Sequence, residues 1–282
     1  MDRRRFVKLC ALGGAAGFAA AYPVFIERNI VLVNRYTIPV PDLPVEFAGF
    51  TIVHLTDFHY GLLVSLRFVE DVVARANRIP ADVIVCTGDY VHERNSTAQI
   101  DTVWPVIARL RAPLGVYSVL GNHDHWAGTA RSRYWLQKAG QNLHGKVKAL
   151  ERNGKRLWLA GGGDLWEDHI GFDGLLAGTD DRECRIVLAH NPDSADTGYS
   201  ARIDLMISGH THGGQVNVPF VGAPMLPVKN KSFSNGLVKA RNGTRVFISR
   251  GIGWAILPVR INCYPEIAVL ELVGDRGAGK ES

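Results

Sequence analysis

Apolar positions change rhythm repeatedly along this 282-residue chain. Residues 50–56 are an apolar, β-branched run, and residues 65–78 follow with Leu66, Val69, Val72 and Val73 at helical spacing. The first pattern predicts a buried strand and the second an amphipathic helix. The alternation recurs. An apolar run at 82–87 ends in Gly88-Asp89, residues 97–110 read as a helix with Ser96 as its N-cap, and 115–120 read as a third strand. Strand, loop, helix and strand at this spacing predict parallel βαβ units. Ahead of them, residues 22–49 are mostly proline-spaced and extended, with Tyr36–Val40 as an edge strand, where Pro39 is tolerated.

The second half is richer in strands, expected at 147–150, 156–161, 185–189, 205–208, 236–240, 245–249 and 266–272. Asn153-Gly154 and Asn242-Gly243 mark hairpin turns, and the helices look short. No linker and no repeat divides this stretch. The expectation is one α/β domain over 50–273, built as two packed mixed β-sheets flanked by helices, with a tail at 274–282.

Residues 1–21 form a separate unit. Arg3, Arg4, Arg5 and Lys8 precede an uncharged run from Leu9 to Ala21, which ends in small residues. That run is shorter than the roughly 20 residues a membrane-crossing helix needs, and Pro23 is expected to interrupt its extension. A basic start, a short apolar middle and a small-residue end describe an export signal. The order Arg3-Arg4-Arg5-Phe6-Val7-Lys8 resembles the twin-arginine signal, with Asp2 and Val7 in its Ser and Leu places. The expected location is the periplasm, the cell wall or the outer face of the inner membrane. An uncleaved anchor is the alternative to a removed signal.

Composition narrows the classes. With 46% hydrophobic and 21% charged residues, the chain is neither wholly disordered nor a polytopic membrane protein. The net charge of +5 invites a nucleic-acid reading, but residues 1–21 carry more than half of it, so no nucleic-acid partner is expected. Cys10, Cys86, Cys184 and Cys263 show no CxxC spacing and give no thiolate metal site. A single Cys184–Cys263 bridge stays open.

The chemistry gathers in five places, each just after a predicted strand: Asp57-Phe58-His59, Gly88-Asp89, Gly121-Asn122-His123-Asp124, Ala189-His190-Asn191 and Gly209-His210-Thr211-His212-Gly213-Gly214-Gln215. Ligands of α/β sheets bind beyond the carboxyl ends of strands, so these loops converge. Their oxygen and imidazole donors, without thiolate, suit Mn, Fe or Zn better than Ca or Mg. Seven such donors exceed the needs of one cation and supply two that share a carboxylate. Two metals form a clamp for in-line phosphoryl displacement.

Together the blocks DFH, GD, GNHD, AHNP and GHTHGGQ resemble the calcineurin-like metallophosphoesterase superfamily, over about residues 50–215. The phrases RYTIPVPDLP, GHTHGGQ and SRGIGWAILPVRINCYPE are similar to its exported or membrane-associated bacterial phosphodiesterase branch, and also to some UDP-2,3-diacylglucosamine hydrolases. The resemblance implies a four-layer αββα sandwich and a phosphodiesterase with two divalent metal ions, Mn first, Fe or Zn as alternatives. It implies that Asp57, His59 and His212 hold one metal, that Asn122, His190 and His210 hold the other, and that Asp89 bridges them. It further implies hydrolysis of a P–O bond by a metal-bridging hydroxide, with His123 as the catalytic group at the departing oxygen. Gly88, Gly121 and Gly209 would leave room for the backbone to turn.

One departure stands out. Where some members read G-D-x-V-D-R, this chain has His92 and Glu93 in the Asp and Arg places, so His123 needs another orienting partner. Asp124 is adjacent but suited to capping a helix. His92 and His125 flank the site as candidate substrate contacts. His54, His144 and His169 read as structural or surface groups, and Asp164 as a turn former. Trp126, Tyr134, Trp135, Trp166 and Trp254 either line an apolar cleft or pack in the core. No long insertion separates the third and fourth blocks, which argues against a deep lipid chamber. The expected substrate is a phosphodiester or phospholipid-like small molecule, with the twin-arginine machinery as partner and a membrane surface as a further candidate. Two other readings stay open. One is a UDP-2,3-diacylglucosamine pyrophosphohydrolase of lipid A synthesis, whose substrate is cytoplasmic and so conflicts with export. The other is a non-catalytic scaffold of the same fold, which has no need of seven intact donors.

Overall fold

The computed structural model describes residues 2–61 and 63–275. Its elements run, in chain order, α1 (Arg3–Phe25), β1 (Leu32–Val40), β2 (Thr51–Leu55), α2 (Leu66–Ala76), β3 (Val83–Cys86), α3 (Thr97–Ile107), β4 (Val116–Ser118), α4 (Asn122–Lys138), β5 (Val147–Arg152), β6 (Lys155–Gly161), α5 (Phe172–Leu176), β7 (Cys184–Leu188), β8 (Leu205–Ser208), β9 (Gly236–Lys239), β10 (Arg245–Ile248) and β11 (Glu266–Gly274). Short 3₁₀ turns lie between them.

Two mixed sheets result, ordered β1-β11-β2-β3-β4 and β5-β6-β7-β8-β10-β9. In the first, β2, β3 and β4 run parallel; in the second, β6, β7, β8 and β10 do. Alternation along each strand assigns the layers. Ile52, Val83, Val85 and Leu270 meet Leu159, Ile186, Leu188 and Ile207 between the sheets. Val53, Leu55 and Ile84 face outward onto Val69, Val72, Ile100, Val103 and Trp104 of the covering helices. On the far side, Val187, Met206, Val246 and Ile248 are covered by Phe172, Leu176, Ala195 and Phe233. The architecture is therefore α/β, two mixed sheets between outer layers. Placing both sets of parallel carboxyl ends at one edge is what assembles the site.

Ser65 caps α2 as its position suggests, its hydroxyl accepting from the Phe68 amide at 3.2 Å. Ser96 precedes α3 but makes no side-chain cap bond, because its backbone is outside the capping conformation. Asn153 and Gly154 both take positive φ, 50° and 76°, and close the β5–β6 hairpin. The edge position expected for Tyr36–Val40 is that of β1. All four cysteines are free, so the Cys184–Cys263 bridge does not form.

Two expectations need correction. Pro23 does not interrupt the first helix: it sits inside the last turn of the 23-residue α1, beyond which only a short turn follows. Such a helix is about 35 Å long, enough for roughly 30 Å of hydrocarbon. Helix α4 has no counterpart in the sequence expectations. Its residues carry no apolar stripe, and Gly128 breaks its regular geometry. From residue 276 on, the tail expected at 274–282 lies outside the described residues.

Candidate metal centre

Each of the five blocks emerges from a strand end: Asp57 and His59 after β2, Asp89 after β3, Asn122 after β4, His190 after β7 and His210 and His212 after β8. Backbone bonds lock the loops together. The Asp57 amide donates to Gly88 O, the His59 amide to Asp89 O and the Gly209 amide to His190 O, each at 3.0 Å. Asp57, His59, Asp89, His210 and His212 all adopt positive φ, between 49° and 69°. Such conformations cost non-glycine residues about 1 kcal/mol or more, and strain of this kind clusters at functional sites.

At the strand ends, two groups that each could hold a cation combine Asp and His, Asp57–His59–His212 and Asp89–His190–His210, and His59 also groups with His92 and His123 at the cleft floor. In the first, His59 Nε2 and His212 Nε2 lie 3.0 Å apart, and Asp57 Oδ1 is 3.4 Å from the latter. Asp89 stands between the groups: Oδ2 is 3.5 Å from His59 Nε2 and 3.2 Å from His190 Nε2. Its other oxygen accepts the His123 amide at 2.9 Å.

Carbonyl partners fix which ring nitrogens are committed to the backbone, since a carbonyl accepts and does not donate. His190 Nδ1 donates to Thr87 O at 2.8 Å, and His210 Nε2 donates to Pro227 O at 3.1 Å. The remaining nitrogens, His190 Nε2 and His210 Nδ1, face each other at 3.1 Å. Beside them Asn122 Oδ1 is buried without any partner. Two facing ring nitrogens free of the backbone, with an orphaned amide oxygen, are a donor set that a cation satisfies once it displaces the proton that His190 carries beside Asp89. The residues thus fit a metal.

Burial pushes the His59 and His212 imidazoles well below their usual range and His210 to about 3, so these rings are neutral near pH 7. Burial also lifts the Asp57 carboxyl to about 6. It acts the same way on Asp89, but the neighbouring His190 outweighs it and holds that group well below the carboxylate range. Reciprocally, burial would lower His190, but Asp89 raises it to about 10.

Gly209 shows how tightly the shell is built. A Cβ there would run into Thr56 Oγ1 and Asp57 Oδ2. Gly209→Ala is expected to cost about 1–3 kcal/mol of stability through overpacking, read from the denaturation midpoint, with reduced metal content per chain.

His123 lies at the floor of a cleft of about 1070 Å³. Its Nδ1 donates to the backbone oxygen of His92 at 2.8 Å, and its ring packs on Trp126 with centroids 4.6 Å apart. The missing orienting carboxylate is thus replaced by a main-chain carbonyl. Asp124 turns away and knits two blocks: Oδ2 accepts the Gly121 and Asp89 amides at 2.9 and 2.8 Å, and Oδ1 the Tyr90 amide at 2.9 Å. His92 lines the cleft, its Nδ1 3.5 Å from His59 Nδ1. Trp126 and Trp166 line it as well, whereas Trp254 is in the core and Trp135 donates to Asp101. Tyr134 is exposed on α4. Asp164 shapes a turn, Oδ1 accepting the Trp166 and Glu167 amides at 2.9 and 3.1 Å. His54 is a buried structural group bonded to Thr87 Oγ1.

His125 is not in the cleft. Its Nε2 faces Asp168 Oδ1 at 3.2 Å, off the hydrogen-bond direction, and Oδ2 of Asp168 accepts from His144 at 2.6 Å and Arg133 at 2.9 Å. Burial would raise the Asp168 carboxyl, but the facing His125 and His144 imidazoles hold it far below its usual range. Burial would lower His125, but Asp168 raises it. A raised imidazole stabilises fully below its unfolded value near about 6.5 and loses this as pH rises through its folded value; a depressed carboxylate contributes above about 3.9 and loses this as pH falls. The windows overlap between about pH 4 and 6.5. Asp168→Asn is therefore expected to lower the melting temperature more at pH 5.5 than at pH 8.5, as thermal melts at the two values will read.

Arg260 was invisible as a functional position. It is fully buried, and its guanidinium donates to the carbonyls of Arg250, Gly253 and Cys263 behind His212. Cys263 Sγ donates to His212 O at 3.2 Å. The available signal was charge: Arg260 is the only charged residue between Gly251 and Pro265.

Comparison with known proteins agrees with this geometry. The family model described as calcineurin-like phosphoesterase matches residues 50–214. Phosphodiesterase YaeI of Escherichia coli (strain K12) is 32% identical over 280 residues, covering 97% of this chain and 100% of that one. The metallophosphoesterase YkuE of Bacillus subtilis (strain 168) is 31% identical over 280 residues, covering 96% and 98%. A transmembrane protein with metallophosphoesterase domain from Danio rerio is 30% identical over 251 residues, which are 83% of this chain and 56% of that protein. With the family model spanning all five strand-end blocks and the donors drawn into two groups, the chain belongs to the calcineurin-like phosphoesterase family and is a metal-dependent phosphoester hydrolase.

Proposed function

We propose that this chain is a phosphodiesterase working with two divalent cations and acting outside the cytoplasm. Asp57, His59 and His212 would hold one cation, Asn122, His190 and His210 the other, and Asp89 both. The observation that carries this is the second group: two imidazole nitrogens free of the backbone, 3.1 Å apart, beside the partnerless Asn122 Oδ1. Oxygen and imidazole donors favour Mn, with Fe or Zn as alternatives. When bound, the cations supply Lewis-acid polarisation of the phosphoryl oxygens and activation of water.

The chain's own groups do the rest. His123 delivers a proton from Nε2 to the oxygen that leaves as the P–O bond breaks, while Nδ1 stays bonded to His92 O. Trp126 and the His92 carbonyl hold that ring in one orientation, so little reorganisation is needed during reaction. His92 Nδ1 steadies the far side of His59. Residues Arg3–Lys8, at the start of α1, would direct twin-arginine export.

Two measurements test this reading. Protein loaded with Mn is expected to hydrolyse bis(p-nitrophenyl) phosphate, to lose the activity to a chelator and to regain it with Mn; no turnover with Mn, Fe or Zn would contradict it. A reporter fused to residues 1–30 should reach the periplasm and stay in the cytoplasm when Arg3→Lys and Arg4→Lys are combined. Export of the double variant would remove the signal assignment.

A further inference from the structure

The cleft above the metal centre has an unusual wall. Val216, Pro224, Met225, Leu226 and Pro227 line one side, and Ala255, Ile256, Leu257 and Val259 the other. Neither segment carries a charge: none occurs from Val216 to Val228, nor from Gly251 to Val259. At the rim the apolar side chains turn outward. Phe220 is 109% exposed, Ile256 86% and Met225 76%. Phe220 and Ile256 hold positive φ, 67° and 61°. That backbone is costly for a β-branched or bulky residue, so these tips are displayed at a cost in strain. Gln215 joins the two walls, its amide donating to Leu257 O at 3.0 Å and its oxygen accepting the Ala255 amide at 2.6 Å. A joined apolar rim around a polar floor marks an interaction surface, not a scatter of exposed residues.

The same segment touches the end of α1. The Arg260 amide donates to Pro23 O at 3.2 Å, Tyr22 and Tyr264 share a hydroxyl bond of 2.8 Å, and Arg28 donates to Pro258 O at 3.3 Å while lying over Trp254. Helix α1 is long and apolar enough to cross a membrane, and none of its residues is buried by the domain. Uncharged chain from Leu9 to Ile26 thus ends where the rim begins.

We propose that α1 is retained as an anchor and that the cleft mouth docks on the bilayer holding it, with Phe220, Val221, Met225, Ile256 and Leu257 at the headgroup–acyl boundary. This deepens the phosphodiesterase reading and rests on it for its chemistry. The substrate is then an amphiphile: its phosphodiester reaches the metal floor, and its apolar part lies along the walls. The bilayer is the occupant because the two apolar walls adjoin a membrane-length helix and carry no charge of their own, the exposed Glu93, Arg94 and Lys231 of the cleft lying outside them. The lipid-binding wall comes from residues after the fifth block, so the absence of an insertion between the third and fourth blocks does not exclude it.

The test uses the full chain reconstituted in phosphatidylcholine–phosphatidylglycerol vesicles. Cys10, the one exposed cysteine among the described residues, is replaced (Cys10→Ser), and Val221→Cys carries an environment-sensitive fluorophore. Lipid-borne nitroxide should quench it strongly and aqueous iodide weakly. The reverse pattern, or protection from both through pairing with a second copy, would overturn the proposal. In parallel, Phe220→Ser with Val221→Ser should keep its rate on bis(p-nitrophenyl) phosphate in detergent within about twofold. It should lose at least about fivefold on a fluorogenic phosphodiester lipid in vesicles; an unchanged vesicle rate would overturn the proposal. Failure of the unaltered protein on the soluble ester would instead strike the phosphodiesterase reading, while the quenching result would still report the docking.

Discussion

Asp89→Asn is expected to lower kcat/KM by at least about a thousandfold, equivalent to about 4 kcal/mol of transition-state stabilisation. Asp89 Oδ2 lies 3.5 Å from His59 Nε2 and 3.2 Å from His190 Nε2, so it is placed to serve both proposed cations. The amide keeps the bond from the His123 backbone but removes the negative charge that two divalent ions need between them. Metal content should fall from two ions per chain to one or fewer. Far-ultraviolet circular dichroism should stay unchanged, because Asp124, not Asp89, ties the neighbouring amides together. Full activity with two bound ions would refute the shared-carboxylate assignment.

The second large effect concerns His123. Replacing it with Ala should cut turnover of an ester with an alkoxide leaving group by about 10²–10⁴-fold, the range typical of general acid catalysis. Metal content should not change, because His123 uses Nδ1 on the His92 carbonyl and belongs to neither of the two proposed ligand sets. The loss should be far smaller for a nitrophenolate, which departs without a proton. That dependence on leaving group distinguishes proton delivery from general damage to the site. Equal losses on both esters would assign His123 to charge stabilisation or to structure instead.

Much of this was legible in the chain. The five blocks stood out because each pairs a β-branched strand with a polar loop, and strand ends are where α/β folds bind ligands. Asp57, His59, Asp89, Asn122, His190, His210 and His212 were nameable for that reason. The packed sheets with outer helices followed from strands alternating with helices and from the absence of a dividing linker. What escaped has physical causes. Helix α4 begins inside the third block, where the demands of the site erase amphipathic periodicity, and Gly128 disrupts the rest. Pro23 reads as a breaker, but in a last turn it forfeits a single backbone bond. His125 sits in the right block yet points at Asp168, since neighbours on a helix diverge by about 100°. Arg260 and the apolar walls come from long-range folding of residues 214–263 over the site, and no local pattern records where such a segment lands.

The central claim is that two cations share Asp89 at the strand ends. Anomalous diffraction from Mn-loaded crystals tests it most directly. Two peaks about 3.5–4 Å apart are predicted, one beside Asp57, His59 and His212 and the other beside Asn122, His190 and His210, with the Asp89 carboxylate between them. A single peak, or peaks remote from Asp89, would contradict it.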